Sequence, residues 1–115
     1  RPDTPAFLRA CEQADLSDRD LAFLHAHAGA RRRTATMRML AQEALGKDDP
    51  KSANLLYGKL ANRLNSLLHW EPDLRHDDSP IWMSLLAEGW WPPGREYEWT
   101  MVPSAAEAIH LRKKV

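Results

Sequence analysis

The chain has 115 residues with 16 basic and 16 acidic side chains, for a formal net charge of zero when its histidines are neutral. That length makes one domain able to bury a core unaided, and 43% hydrophobic with 28% charged residues excludes a disordered chain. No apolar run reaches the roughly 18–20 residues of a membrane span, no signal peptide is visible, and a lone cysteine, Cys11, excludes an intrachain disulfide and points to a reducing cytoplasm.

Charge is unevenly placed. Residues 31–70 carry eight basic and three acidic side chains, +5, whereas residues 71–103 carry two and seven, −5. The first residue is Arg1, not methionine, which leaves room for a longer chain whose further domain would hold any chemistry.

In chain order, Thr4-Pro5 marks a helix start, because proline early in a helix wastes no N–H. Phe7, Leu8, Cys11 and Ala14 give it a short apolar face, on which Cys11 reads as a small core residue and not a reactive thiol. Ser17 is the N-cap of a second helix, with Asp20 at its third position and Leu16 and Leu21 as the flanking staple. That helix packs through Leu21, Leu24 and Ala28 and stops at Gly29. His25 and His27 lie about 200° apart around its axis and cannot clasp one metal ion. One half-buried and one solvated histidine is the expectation.

Arg31-Arg32-Arg33 follows in a connection. It is either a solvated loop or a phosphate clamp beside a helix start, whose free N–H groups also favour anions.

Residues 34–68 predict two helices joined by a tight turn. The first runs from about Thr34 to Leu45, with Thr34 or Thr36 as N-cap and Gly46 as the left-handed closing residue. The second starts at Asp49-Pro50. Its apolar stripe is Ala53, Leu56, Tyr57, Leu60, Leu64, Leu67 and Leu68, and its opposite side carries Lys51, Leu55, Gly58, Lys59, Asn62, Asn65 and Ser66. A helix bracing another that shows cations, amides and a glycine is the layout of a helix-turn-helix.

Residues 69–80 read as a loop. Ile81 to Trp91 predicts a strand throughout or a strand after a short turn, Pro92-Pro93-Gly94 is a turn, and Glu96 to Val102 alternates as a half-buried strand, so the two form a hairpin. Ser104 and Glu107 predict a capping box opening a last helix, whose tail Arg112-Lys113-Lys114 suits a helix C-terminus.

Helices, then a helix-turn-helix, then a hairpin: this order over about residues 17–103 resembles the winged-helix family, with Trp91 to Arg95 as the wing tip. The implied fold is α+β and mainly helical, a single domain over residues 1–115 with four to five helices and a β-hairpin wing. Ala53 to Leu60 (ANLLYGKL), following a leucine-alanine helix, is similar to a small module of bacterial HNH-type restriction proteins. That resemblance implies recognition of DNA, modified DNA included, for an endonuclease elsewhere.

No catalytic pattern is present: no Gly-rich phosphate loop, no zinc-like Cys/His spacing and no nucleophile elbow. His69, His76 and Asp77-Asp78 sit in an irregular loop and read as a hydrated connector. No metal and no cofactor are expected. Four of five tryptophans (Trp82, Trp90, Trp91, Trp99) fall in the hairpin region, where large side chains fill a thin sheet's gap. Trp99 belongs inward by alternation. Trp90 and Trp91 face opposite ways in one strand, so one of them is expected exposed beside Arg95, able to stack on a base or anchor a protein. Glu88, Glu96 and Glu98 would repel phosphates there. Gly58 costs about 1 kcal/mol against alanine in mid-helix, either tolerated, packed under the first helix, or admitting a groove.

The first expectation is a non-catalytic module reading double-stranded DNA, with Lys51, Leu55, Lys59 and Asn62 in the major groove, where Asn62 can pair with an adenine edge. Arg31, Arg32, Arg33, Arg38 and Arg63 would hold phosphates, and Trp90, Trp91 and Arg95 would make the wing contact. The alternative is a protein-interaction or inhibitor module using Leu55 and the acidic, tryptophan-bearing hairpin. No membrane partner is expected, and oligomeric state is not legible.

Overall fold

The computed structural model describes residues 1–112, so Lys113 and Lys114 of the basic tail lie outside the described residues. Local capping chemistry sets the helices. Helix α1 (Thr4–Gln13) is capped by Asp3, whose carboxylate accepts the Ala6 N–H at 3.0 Å, one residue earlier than the Thr4-Pro5 signal suggests. In α2 (Asp18–Ala28) both halves of the capping box form: Ser17 Oγ accepts the Asp20 N–H, and Asp20 accepts the Ser17 N–H, each at 3.1 Å. Helix α3 (Met37–Leu45) starts at Thr36, whose hydroxyl accepts the Met39 N–H, and stops at left-handed Gly46, φ 70°. Helix α4 (Pro50–Leu68) opens on Asp49, which accepts the Ser52 N–H at 3.1 Å.

The sheet differs from expectation at its first strand. Thr34 to Thr36, read as the opening of a helix, form strand β1 (Thr34–Thr36). It pairs antiparallel with β3 (Glu98–Met101), setting Thr34 opposite Thr100 with their hydroxyls 2.7 Å apart. Strand β2 (Ala87–Trp90) pairs with the other edge of β3, giving the order β1-β3-β2. Of the two readings for 81–91, the second holds: a 3-10 turn at Trp82–Leu85 precedes β2. Strand β3 starts at Glu98, not Glu96, because the turn takes more chain: Arg95 N–H donates to the Pro92 carbonyl and Gly94 has φ 70°. Helix α5 (Pro103–Arg112) closes the described chain. Its Ser104 makes no expected cap; it lies inside the first turn and its hydroxyl donates to the Pro2 carbonyl at 3.0 Å. The architecture is thus α+β and mainly helical, with five helices and a three-stranded antiparallel sheet among the described residues.

The core gathers Phe7, Phe23, Leu24, Leu40, Leu85, Leu86 and Met101 around the stripe of α4, which buries Ala53, Tyr57, Leu60, Ala61 and Leu64. Cys11 lies within it, and burial pushes its thiol up to about 11, so it stays protonated and inert at neutral pH. Leu67 is exposed instead of joining the stripe. Asn65, expected on the outward side, is buried because its amide closes the chain reversal after the helix: it accepts the Trp70 N–H at 2.8 Å and donates to the Trp70 carbonyl at 2.9 Å.

His27 is the largest correction. Neither solvated nor half-buried, it is 0% exposed. Its Nδ1 lies 2.8 Å from the Tyr57 hydroxyl on α4, and its Nε2 lies 2.8 Å from the Trp99 carbonyl on β3. One ring thereby ties α2, α4 and the hairpin together and fixes how the hairpin sits beside α4.

Candidate functional site

The outward face of α4 is built by default: with its stripe spent on the core, helical geometry turns Lys51, Leu55, Lys59 and Asn62 to solvent, all exposed. Among the described residues neither Lys51 nor Lys59 has an ion-pair partner. Leu55 is 58% exposed, an apolar side chain with no core to serve. Gly58 joins this face, and a Cβ placed there would meet nothing within 4 Å. It is therefore not packed under a neighbouring helix, and no contact within the chain explains a residue that destabilises mid-helix. The four positions expected to meet a partner, together with Gly58, do form one uncovered strip.

The five arginines expected to hold phosphates divide into two sets. Arg38 is held by Asp48 and by Glu96, the latter at 3.0 Å, and both carboxylates stabilise its charged form. Arg63 donates to Asp20 at 3.0 Å and to the Ala14 carbonyl at 3.2 Å, bracing α4 against the α1–α2 connection. Burial works to raise the Asp20 pKa, but bonds from Ser17 and Arg63 outweigh it and hold the carboxyl below the usual range. Arg33 Nε donates to the Met101 carbonyl at 3.0 Å, which anchors the connection to β3. Arg31 and Arg32 are exposed and have no ion-pair partner among the described residues. Arg32 and Arg33 both adopt left-handed backbone, φ 55° and 56°, uncommon for side-chain-bearing residues.

At the hairpin, both tryptophans are exposed, Trp90 by 54% and Trp91 by 69%, where only one was expected to be. Alternation still holds within the strand. Trp90 Nε1 donates at 3.3 Å to Glu98, its register partner on β3. Trp91 lies beyond the end of β2, off the paired strand, where no core covers it; its ring meets Tyr97 edge-on at 5.8 Å, and Tyr97 meets Trp99 at 5.0 Å. A strip of three aromatics therefore runs from the partly buried Trp99 to the tip. Gly89 makes room for it: a Cβ there would fall 2.3 Å from the Tyr97 ring. Two of the acids have cation partners, Glu96 in Arg38, which it shares with Asp48, and Glu98 in Arg95 at 3.7 Å. The tip is thus more aromatic than acidic.

Two neighbours of the site escaped sequence reasoning. Neither Tyr97 nor Asn54 was among the expected contacts. Spacing from Lys51 to Asn54 of three residues was the available signal for the second. Both line a cleft between α4 and the hairpin, with Met37, Pro50, Lys51 and Trp99.

Among the described residues no group of three His, Cys, Asp or Glu side chains is placed to hold one metal ion, and no helix is long and apolar enough to cross a membrane. Comparison with protein-family models, curated proteins and solved structures finds no significant match.

Proposed function

We propose that this chain is a non-catalytic winged-helix module that reads double-stranded DNA through α4. Support for the fold reading comes from element order: α2, β1, α3, α4, β2, β3 with a sheet ordered β1-β3-β2 suits a helix-turn-helix followed by a wing. The single observation that carries the function is the uncovered strip on α4. Unpaired Lys51 and Lys59, the amide of Asn62, and an outward Gly58 with open space above it match what close approach to a major groove demands. Arg31 and Arg32 are the cations free to meet phosphates, whereas Arg33, Arg38 and Arg63 already serve the fold. Trp90, Trp91 and Arg95 supply the wing contact. Resemblance of Ala53 to Leu60 to a restriction-associated module suggests an attached or associated effector, such as a nuclease, acting on what α4 finds.

The test is a fluorescence-anisotropy titration of duplex DNA with wild-type chain, Lys59→Ala and Asn62→Ala. Both variants keep the fold. Loss of a base contact costs about 1–3 kcal/mol and relaxes sequence preference; unchanged affinity in both removes α4 from the interface.

A second reading, a protein-interaction module, is favoured by one observation: Leu55 and Trp91 are large, apolar and mostly exposed. A chain that binds no duplex at low salt supports it.

A further inference from the structure

The cleft between the start of α4 and the hairpin adjoins the uncovered strip at Lys51, and its chemistry is different. It measures about 340 Å³ and is lined by Glu96, Tyr97 and Trp99 of the hairpin, Pro50, Lys51 and Asn54 of α4, and Met37 of α3. The aromatic wall is held in place at both ends. Trp99 packs on the core and offers its carbonyl to His27. Tyr97 lies over Gly89, where any side chain would displace it. The rings meet edge to face, with interplanar angles of 85° and 62°, so they do not stack flat against one another, and Tyr97 stays 37% exposed.

Side-chain chemistry decides what this cleft suits. Its one acid, Glu96, pairs with Arg38, which Asp48 also holds, while Lys51 makes no close ion pair among the described residues and acts on Asp49 only at longer range. The cleft therefore presents the Lys51 ammonium, the aromatic rings of Tyr97 and Trp99, and the donor and acceptor of an exposed carboxamide, Asn54. That set matches a planar, hydrogen-bonding ring attached to a phosphate. An aliphatic peptide side chain would leave Asn54 desolvated and unpaired.

We infer that this cleft is a binding site for a single unstacked nucleobase, most simply an adenine displaced from the duplex that α4 reads. The base lies against Tyr97, its edge pairs with Asn54, and the adjoining phosphate meets Lys51. This inference rests on the DNA reading above and assigns the hairpin a task that reading alone does not require.

The experiment compares two labelled duplexes by anisotropy at one salt concentration: one fully paired, the other identical except for one bulged adenine. The full chain is expected to bind the bulged duplex about tenfold tighter, the scale of one base stacked on an aromatic ring. Tyr97→Ala is expected to bring the ratio close to one and Asn54→Ala to lower it severalfold, neither weakening paired-duplex binding. Asn54 is exposed on a long helix, so Asn54→Ala tests the site even if loss of Tyr97 perturbs the hairpin. Equal affinity of wild type for both duplexes, or a ratio that Asn54→Ala leaves unchanged, overturns the base site while α4 keeps its reading role. If neither duplex binds, the base site and the DNA reading fall together.

Discussion

His27 on α2 and Tyr57 on α4 meet at 2.8 Å with both side chains wholly out of water. The Trp99 carbonyl on the far side can only accept, so His27 Nε2 carries the proton. In the neutral ring Nδ1 is then an acceptor, and the Tyr57 hydroxyl donates to it. Burial keeps the ring neutral, pulling its pKa below the ordinary 6.5 even though the Trp99 bond works the other way.

Tyr57→Phe removes that donor and leaves a buried ring nitrogen unpaired. Stability is expected to fall by about 1–3 kcal/mol in urea denaturation, with the m-value unchanged. No measurable loss would mean that water or another group reaches Nδ1.

The same histidine predicts acid sensitivity well above the carboxylate range. The unfolded chain takes up a proton near pH 6.5, which the folded chain resists because its pKa is lower. Stability is thus full above about pH 7.5 and declines as pH falls through 6.5 toward the folded-state value. Denaturation midpoints between about pH 7.5 and pH 5.5 measure this slope, and a His27→Leu variant should show a shallower one. Asp20, whose pKa is lowered, adds a separate loss only below about pH 4.

Gly58 separates stability from binding. Gly58→Ala places a methyl in open space and is expected to raise stability by about 1 kcal/mol. Gly58→Leu is expected to keep the fold and weaken duplex binding at least tenfold by blocking groove approach. Unimpaired binding by Gly58→Leu would show that nothing comes close to that turn of the helix.

Arg31 and Arg32 differ from Arg33 in what their loss should do. Arg31→Ala with Arg32→Ala should flatten log affinity against log salt by up to about 2 units and leave the melting temperature unchanged. Arg33→Ala should instead lower the melting temperature, because it removes the bond to the Met101 carbonyl. An unchanged salt slope in the double variant returns the pair to solvent.

What the sequence disclosed was local. Ser17 with Asp20, Asp49-Pro50, Gly46 and Pro92-Pro93-Gly94 act within a few residues, and each marks a boundary where it was read. The stripe of α4 likewise follows from period alone. What stayed hidden depends on residues far apart in the chain. Thr34 to Thr36 are a strand because β3, more than sixty residues later, offers an edge, and of the two threonines read as caps only Thr36 also opens the helix. His27 is buried because Tyr57 and Trp99 supply both of its partners, neither visible from α2. Arg38 read as a free cation until Asp48 and Glu96 closed on it. Candidate base contacts on α4 needed only helical geometry to be found; candidate phosphate contacts needed the fold to show which arginines were already engaged.

The most direct measurement of the central claim is the salt dependence of duplex binding by wild type and by a Lys51→Ala, Lys59→Ala double variant. Four free cations, Arg31, Arg32, Lys51 and Lys59, predict a wild-type slope of about −3 to −4, since each phosphate neutralised contributes about −0.9. The double variant should retain the fold and lose about 2 units of that slope along with affinity. A wild-type chain that binds no duplex at low salt, or a double variant whose slope and affinity match wild type, would contradict α4 as a DNA-reading helix.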